Sequence, residues 1–250
     1  MTTSQKTYNH RVIKIKNLNK WFGEIQVLAD INLNLSEDEN LVILGRSGVG
    51  KSVLIKCIVG LEKVEEGEIE VLGNSITEMD EYELNKLRQN IGFLFQGGAL
   101  YDSMSVEENL LFTLKRNAPG LSNSDRDTLV DDVLDSVGLL DAKHKMPSEL
   151  SGGMKKRAGL ARTLVLKPKI ILYDEPTTGL DPFTAQGISE LVVKVKKRYN
   201  TTSILVTHDM KCAKVTADRM IIMDQGRIIA RGKYEELQSK DDEIIKGFFK

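Results

Sequence analysis

The feature that most constrains the fold of this chain is an apolar run that leads directly into a glycine-rich loop. Leu41–Leu44 is an unbroken apolar stretch, and Gly45–Ser52 follows with three glycines in eight residues. A helical pattern then covers Ser52–Val59 and ends at Gly60. Because unbroken apolar runs are typical of central parallel strands, the segment predicts a strand, a tight loop and a helix in succession, the unit of an α/β fold.

Similar runs recur along the chain and predict further parallel strands. They are Ile91–Phe95, Ile170–Tyr173, Ile204–Val206 and Met220–Met223. A helical pattern at Thr184–Arg198 supports βα units. Near the N-terminus, apolar and polar residues alternate around Ile15 and Leu33, which predicts half-buried antiparallel strands. Gly97–Leu166 has helical periodicity without a strand-like run, so we expect a helical subdomain inserted between two core strands.

Composition excludes several classes of protein. The 35 Lys and Arg residues balance 36 Asp and Glu residues, so no large basic surface for nucleic acid is indicated. No apolar run reaches the ~18–20 residues of a membrane-spanning helix, and Met1–Lys6 lacks the apolar core of a signal peptide. Cys57 and Cys212 fall in no metal-ligand spacing, and we expect reduced thiols that fill the core of a cytoplasmic protein.

The glycine-rich loop matches the complete phosphate-binding pattern. Its residues are Gly45, Arg46, Ser47, Gly48, Val49, Gly50, Lys51 and Ser52. The glycines let successive N–H groups point at a β-phosphate, and Lys51 adds positive charge toward the β- and γ-phosphates. The Ser52 hydroxyl is expected to bind Mg²⁺. The chain is therefore expected to bind a nucleoside triphosphate.

A second pair of glycines, in Leu150–Met154, predicts another phosphate-binding surface. Ser151 suits the N-cap of a helix that Gly152 and Gly153 open with unpaired N–H groups. One chain cannot readily place both surfaces on one nucleotide, so we expect two copies to face each other with ATP between them. The cations that follow, Lys155–Arg157, indicate either a nearby anion or a solvated charged face.

Adjacent carboxylates end the predicted strand at Ile170–Tyr173. Ligands of α/β sheets gather at the carboxyl ends of strands, which is where Asp174 and Glu175 lie. Asp174 is placed to reach Mg²⁺, and Glu175 can orient and deprotonate a water that attacks the γ-phosphate. This arrangement predicts hydrolysis of the nucleotide.

With these motifs in this order, the chain resembles the nucleotide-binding subunits of ATP-binding cassette (ABC) transporters. The resemblance implies a P-loop NTPase (RecA-like) core with an antiparallel β subdomain and an inserted α-helical subdomain. It also implies that Gln96 senses Mg²⁺ and the water, that His208 contacts the γ-phosphate, and that Ser151–Gly153 is the signature. Gly179–Asp181 matches the dimer-contact loop.

The family also uses an aromatic side chain to stack on adenine. Phe22 matches that position best, and Trp21 is the competing residue. We expect one ABC ATPase domain over residues 10–250. Its parts are the core with its β subdomain (10–96 and 167–232), the helical subdomain (97–166) and a helical tail (233–250).

Several short segments resemble ATPases of Mla-type phospholipid transporters, which work with MCE proteins. These are Gln96–Val106, Leu150–Arg157, with Met154 where the signature usually has Gln, and Val206–Met210. The resemblance implies a homodimer on the cytoplasmic face of the inner membrane, bound to an integral permease, an MCE substrate-binding protein and a small regulatory subunit. The alternatives are an importer of a small polar solute and a soluble ATPase of the iron-sulfur-assembly type.

Two segments admit more than one interpretation. The glycines of Gly97–Met104, followed by apolar residues, favour a mobile segment that lines a groove for a helix of a membrane subunit, or else a loop packed on the helical subdomain. In the tail, Ile244, Ile245, Phe248 and Phe249 form an apolar stripe. This stripe packs on its own core or contacts a partner.

Overall fold

Two β-sheets form the framework of the protein, and a computed structural model describes them over residues 10–249. In chain order the strands are β1 (Arg11–Phe22), β2 (Ile25–Ser36), β3 (Asn40–Leu44), β4 (Glu66–Val71), β5 (Asn74–Ser75), β6 (Ile91–Leu94), β7 (Ile170–Asp174), β8 (Thr202–Thr207), β9 (Arg219–Asp224) and β10 (Arg227–Gly232). Met1–Lys6, for which no signal peptide is expected, lies outside the described residues.

The larger sheet has six strands in the order β10-β9-β3-β8-β7-β6. Neighbours from β9 to β6 are parallel, and β10 pairs with β9 in the antiparallel direction. The smaller sheet is antiparallel, with the order β2-β1-β4-β5. The sheet order explains why β3, β7 and β8 are buried throughout, since neighbouring strands and both faces shield them from water.

Helices cover the faces of the larger sheet and fill the segment between β6 and β7. They are α1 (Lys51–Ile58), α2 (Glu81–Arg88), α3 (Val106–Asn117), α4 (Asn123–Ser136), α5 (Gly152–Leu164), α6 (Pro182–Tyr199), α7 (Met210–Thr216), α8 (Tyr234–Gln238) and α9 (Glu243–Lys246). Short 3₁₀ turns lie at Leu140–Ala142 and Pro147–Glu149. None of the described helices is both long enough and apolar enough to cross a bilayer.

Alternation along the parallel strands divides the core into two layers. Leu41 and Ile43 of β3 face the layer that also contains α1 and the antiparallel sheet. Val42 and Leu44 face the layer that contains α3, α4, α5 and α6. Successive residues of a strand point to opposite faces, so one apolar run supports both layers. The helical segment is thereby attached to the same sheet that carries the strand ends.

The predicted combination of a parallel sheet, an antiparallel sheet and an inserted helical segment is confirmed. Both cysteines are buried, and burial raises the pKa of Cys57 to about 12, as expected of inert thiols. The tail packs on its own core through Ile245 and Phe249, whereas Ile244 is 58% exposed. The predicted apolar stripe is thus only partly covered.

Candidate functional site

Two glycines shape the loop between β3 and α1 by leaving no room for a side chain. A methyl group at Gly45 would lie 2.7 Å from the carbonyl oxygen of Met223, and one at Gly50 would lie 2.8 Å from that of Val27. Gly50 also has a left-handed backbone, with φ of 98°, that favours glycine. The loop is therefore held closely against β9 and β2.

Positive charge and N–H donors converge at the start of α1. Gly50 is the N-cap, and no side chain caps this helix. The first N–H groups of a helix lack intrahelical acceptors, and the helix dipole adds partial positive charge there. Lys51 Nζ donates to the carbonyl oxygens of Gly45 over 2.8 Å and of Arg46 over 3.0 Å. This arrangement suits an anionic phosphate group.

Ser52 and Asp174 together form a pair of oxygen groups suited to Mg²⁺. Ser52 Oγ donates to Asp174 Oδ1 over 2.6 Å, and Asp174 is buried at the end of β7. Among the described residues no cluster of three or more His, Cys, Asp or Glu residues could hold a metal. None is required, because Mg²⁺ keeps several waters and takes one or two protein oxygens together with phosphate. The donor set therefore fits Mg²⁺ shared with a nucleotide.

The Glu175 carboxylate lies between a cation and an imidazole. Its Oε1 is 3.2 Å from Lys51 Nζ, and its Oε2 is 2.8 Å from His208 Nδ1. Thr178 Oγ1 donates to Oε2 over 3.0 Å. A carboxylate held this way is suited to orient a water and to accept its proton.

All of these groups except Asp174, which contacts Ser52, line a cavity of about 370 Å³, within the range of roughly 300–1,000 Å³ for small-molecule sites. The predicted residues that line it are Ser47, Gly48, Gly50, Lys51, Ser52, Gln96, Glu175 and His208, and Val27, Val53 and Thr178 complete the wall. Gln96, Glu175 and His208 follow β6, β7 and β8, which are neighbouring parallel strands. Their carboxyl ends meet at one edge of the sheet, as the sequence predicted.

Other predicted residues do not line this cavity. Gly45 and Arg46 face the site through the carbonyl oxygens that accept from Lys51, and Val49 packs on the core beneath the loop. Phe22 is 44% exposed, and Lys20 Nζ lies 4.8 Å from the centre of its ring. The assignment of Phe22 rather than Trp21 to adenine therefore stays a prediction.

The signature residues and Asp181 also lie outside the cavity, where the first turns of α5 and α6 pack together. Ser151 is the N-cap of α5, and Asp181 caps α6 by accepting from the Thr184 N–H over 3.1 Å. Hydrogen bonds from Thr184 lower the pKa of Asp181. A methyl group at Gly153 would lie 2.4 Å from Thr184 Cγ2. Packing within the chain therefore favours glycine at position 153.

The charged run after the signature is not a uniformly solvated face. Lys156 is only 7% exposed, and its Nζ donates to the carbonyl oxygens of Gln96 and of Glu175, the latter over 3.3 Å. Burial lowers the pKa of its amine, while the charges of Asp174 and Glu175 raise it. The sequence did not distinguish Lys156 from Lys155 and Arg157 in the same run of cations, which the structure leaves partly exposed.

The glycine-rich segment after Gln96 is packed rather than free. Gly98 lies so close to α5 that a methyl group at Gly159 would be 2.5 Å from the Gly98 carbonyl oxygen. Arg162 donates to the carbonyl oxygen of Ala99, and its guanidinium lies 4.9 Å from the centre of the Tyr101 ring. These contacts support the second interpretation, a loop packed on the helical subdomain, because α5 holds the segment through both backbone and side chains.

Comparison with known proteins relates the chain to one family. The ABC transporter family pattern matches residues 28–178. The chain is 39% identical over 230 residues to the methionine import ATP-binding protein MetN of Rhizobium johnstonii, covering 92% of this chain and 63% of that protein. It is also 39% identical over 236 residues to the probable ribonucleotide transport ATP-binding protein mkl of Mycobacterium leprae, and this match covers 94% of this chain and 68% of that protein.

Solved structures give the same relationship. An ATP-binding cassette, MJ0796, described as a dimer in a post-hydrolysis state bound to ADP and Pi, superimposes with a TM-score of 0.81 at 34% identity. That match covers 88% of this chain and 98% of the other. The protein cbiO1 of Clostridium perfringens, part of the ABC transporter complex cbiONQ, gives 0.84 at 31% identity and covers 96% of each chain. The chain belongs to the ABC transporter family and contains its ATPase domain.

Proposed function

We propose that this protein is the ATP-hydrolysing subunit of a membrane transporter. The observation that carries the proposal is the convergence of Lys51, Ser52, Asp174, Glu175 and His208 at one edge of the parallel sheet. Phosphate, metal and water sites are then adjacent, as phosphoryl transfer to water requires.

Each group has a distinct role in the proposed reaction. Lys51 and the N–H groups of α1 hold the β- and γ-phosphates, and Ser52 and Asp174 hold Mg²⁺, with Gln96 close by. Bound Mg²⁺ would neutralise charge on the phosphate oxygens. Glu175 orients the attacking water and takes its proton. These assignments are supported by the 2.6 Å and 3.2 Å contacts that join the groups in pairs.

His208 is proposed to contact the γ-phosphate and to fix the geometry of Glu175. Its Nδ1 lies 2.8 Å from Glu175 Oε2, and its side chain is 48% exposed, so the ring reaches both the carboxylate and the mouth of the cavity. An imidazole in this position can exchange a carboxylate partner for a phosphate oxygen.

We further propose that two copies close around two ATP molecules. Ser151–Gly153 and Asp181 do not line the cavity of their own chain. They are therefore available to complete the site of a second copy, and MJ0796, with 34% identity, is described as a dimer. The helical subdomain, residues 97–166, would carry the signature toward the partner as ATP binds. Tighter binding of ATP to the closed dimer supplies the work.

The variant Glu175→Gln tests this reaction. It keeps the size of the side chain but removes the base, so we expect ATP to bind, turnover to fall by roughly 10²-fold or more, and an ATP-bound dimer to accumulate. Turnover would be measured by phosphate release and dimerisation by sedimentation. Normal turnover would remove Glu175 from the role of base.

For the transported molecule, we propose phospholipid, moved by a permease that works with an MCE protein and a small regulatory subunit on the cytoplasmic face of the inner membrane. The segments around Gln96 and Leu150, with Met154 in the signature, support this proposal. Import of a small polar solute is the second candidate. The names of the 39%-identical relatives, which concern methionine import and ribonucleotide transport, favour this second candidate.

Purification of the native complex in mild detergent would decide between them. An MCE-like subunit with bound phospholipid supports lipid transport. Recovery of a permease with a solute-binding protein supports import and removes the lipid proposal. Stable complexes with soluble partners alone would favour the iron-sulfur-assembly type of ATPase.

A further inference from the structure

Lys156 occupies an unusual position for a lysine. It lies in the second turn of α5 and is only 7% exposed, between the segment that follows β6 and the end of β7. Burial of a lysine is unfavourable unless its ammonium group has partners. The partners here are two main-chain carbonyl groups, those of Gln96 and Glu175.

Both carbonyl groups belong to residues of the nucleotide site. Gln96 and Glu175 line the same cavity, and they follow neighbouring strands of the sheet. Lys156 itself is absent from the lining, and its hydrogen bonds reach the site through the backbone of these two residues. One ammonium group thus joins α5, the loop after β6 and the end of β7.

The backbone of Glu175 needs such support. Its φ is 48°, in the left-handed region that a residue with a Cβ seldom adopts. Its N–H donates to the Val206 carbonyl oxygen over 3.0 Å, and its own carbonyl oxygen accepts from Lys156 Nζ and from the Thr178 N–H, both over 3.3 Å. Strained conformations of this kind persist where the surroundings hold them. The direction of the Glu175 carboxylate depends on this conformation.

We propose that Lys156 is a positioning residue that holds Glu175 in its left-handed conformation and ties that conformation to the placement of α5 and Gln96. Because Ser151–Gly153 begin the same helix, a displacement of the signature reaches the Glu175 backbone through a single side chain. This inference rests on the proposed role of Glu175 in activating water.

The test compares Lys156→Met with Lys155→Met. Methionine has a similar length and no donor, and the neighbouring Lys155 makes no side-chain hydrogen bond or ion pair with the described residues. Lys156→Met should lower kcat by roughly 10- to 100-fold, the range expected for a misplaced catalytic group. The KM for ATP should stay within about 3-fold, since the phosphate loop is untouched. Lys155→Met should leave kcat within about 2-fold.

Two further measurements separate positioning from a loss of structure. Amide hydrogen exchange over residues 175–178 should be faster in Lys156→Met than in the Lys155→Met control, while exchange in α1 stays the same. Lys156→Arg, which keeps a donor cation, should recover at least half of the lost kcat on a logarithmic scale. If Lys156→Met does not fold, Lys156→Arg serves as the folded variant. Amide hydrogen exchange over residues 175–178 that is unchanged in Lys156→Arg then supports the proposal.

Unchanged kcat in Lys156→Met would overturn the inference, as would equal losses of kcat and of ATP affinity. An arginine variant as inactive as the methionine variant would also overturn it. Glu175→Gln distinguishes the two levels of the argument. If it keeps normal turnover, the proposed function of Glu175 fails; if it loses turnover while Lys156→Met does not, only the positioning role of Lys156 fails.

Discussion

The packing between the first turns of α5 and α6 makes a quantitative prediction for Gly153→Ala. The added Cβ would lie 2.4 Å from Thr184 Cγ2, more than 1 Å inside ordinary contact of about 3.5–4.0 Å. Overpacking of this kind costs about 1–3 kcal/mol. Replacing glycine by alanine also lowers the entropy of the unfolded chain, which stabilises the fold by about 0.4–1 kcal/mol. We expect a net destabilisation of about 0.5–2 kcal/mol.

Thr184→Ser is the matched change, because it removes Cγ2 and keeps the hydroxyl group that hydrogen-bonds Asp181. In the Gly153→Ala variant the next atom of Thr184, Cβ, lies 3.9 Å away, at ordinary contact distance. In the Thr184→Ser background, Gly153→Ala should therefore be neutral or stabilising.

Urea unfolding of the four proteins without nucleotide measures the coupling between positions 153 and 184. The structure predicts a coupling of about 1–3 kcal/mol, well above the roughly 0.3–0.5 kcal/mol error of additivity. Additive effects of the two substitutions would refute the steric argument. In that case the requirement for glycine would come from the nucleotide or from the second copy of the chain.

Two further predictions concern the Mg²⁺ dependence of the ATPase activity and the stability of the fold at low pH. Ser52→Ala removes the hydroxyl group that contacts Asp174 over 2.6 Å, so the Mg²⁺ concentration for half-maximal ATPase activity should rise several-fold, about 1 kcal/mol of lost binding. Glu65 has a lowered pKa, chiefly because Lys20 Nζ lies 2.8 Å away. It therefore stabilises the fold above its unfolded pKa near 4.5, and this contribution is lost as pH falls through the lower folded pKa. Glu65→Gln should be less stable than the wild type at pH 7. The difference in free energy of unfolding between the two proteins should narrow below pH ~4.5.

Each of these predictions has a control. Ser47 lines the cavity without contacting Asp174, so Ser47→Ala should leave the Mg²⁺ dependence of the rate unchanged. A metal dependence that shifts equally in both variants would contradict the assignment of Ser52. For Glu65, urea unfolding from pH 3.5 to 7 gives the stability gap. A gap that stays constant across this range would show that the ionised carboxylate is not the source of the stability.

The parts of the site that could be predicted from the sequence are those whose position follows from the strands. Glu175 comes within two residues of the end of an apolar run, as do Gln96 and His208, which the family resemblance implied, and the parallel sheet brings such ends together whatever the connections between them. The strand β4 was not predicted from the sequence. Glu66, Glu68 and Glu70 occupy its more exposed face, so only Ile69 and Val71 show the apolar alternation of a strand. Its partner β1 supplies the apolar contacts that the isolated segment lacks.

Lys156 shows why other parts of the site could not be predicted. Its helix was expected, but the residues that bury it, Gln96 and Glu175, lie 60 and 19 positions away in the chain. Both contacts are made with main-chain carbonyl groups, which every residue possesses and which leave no mark in the sequence. Charge patterns predict exposure only where the facing surface is solvent. A cation whose partners are backbone oxygens can be recognised only after the loop after β6 and the left-handed turn after β7 have been placed in space.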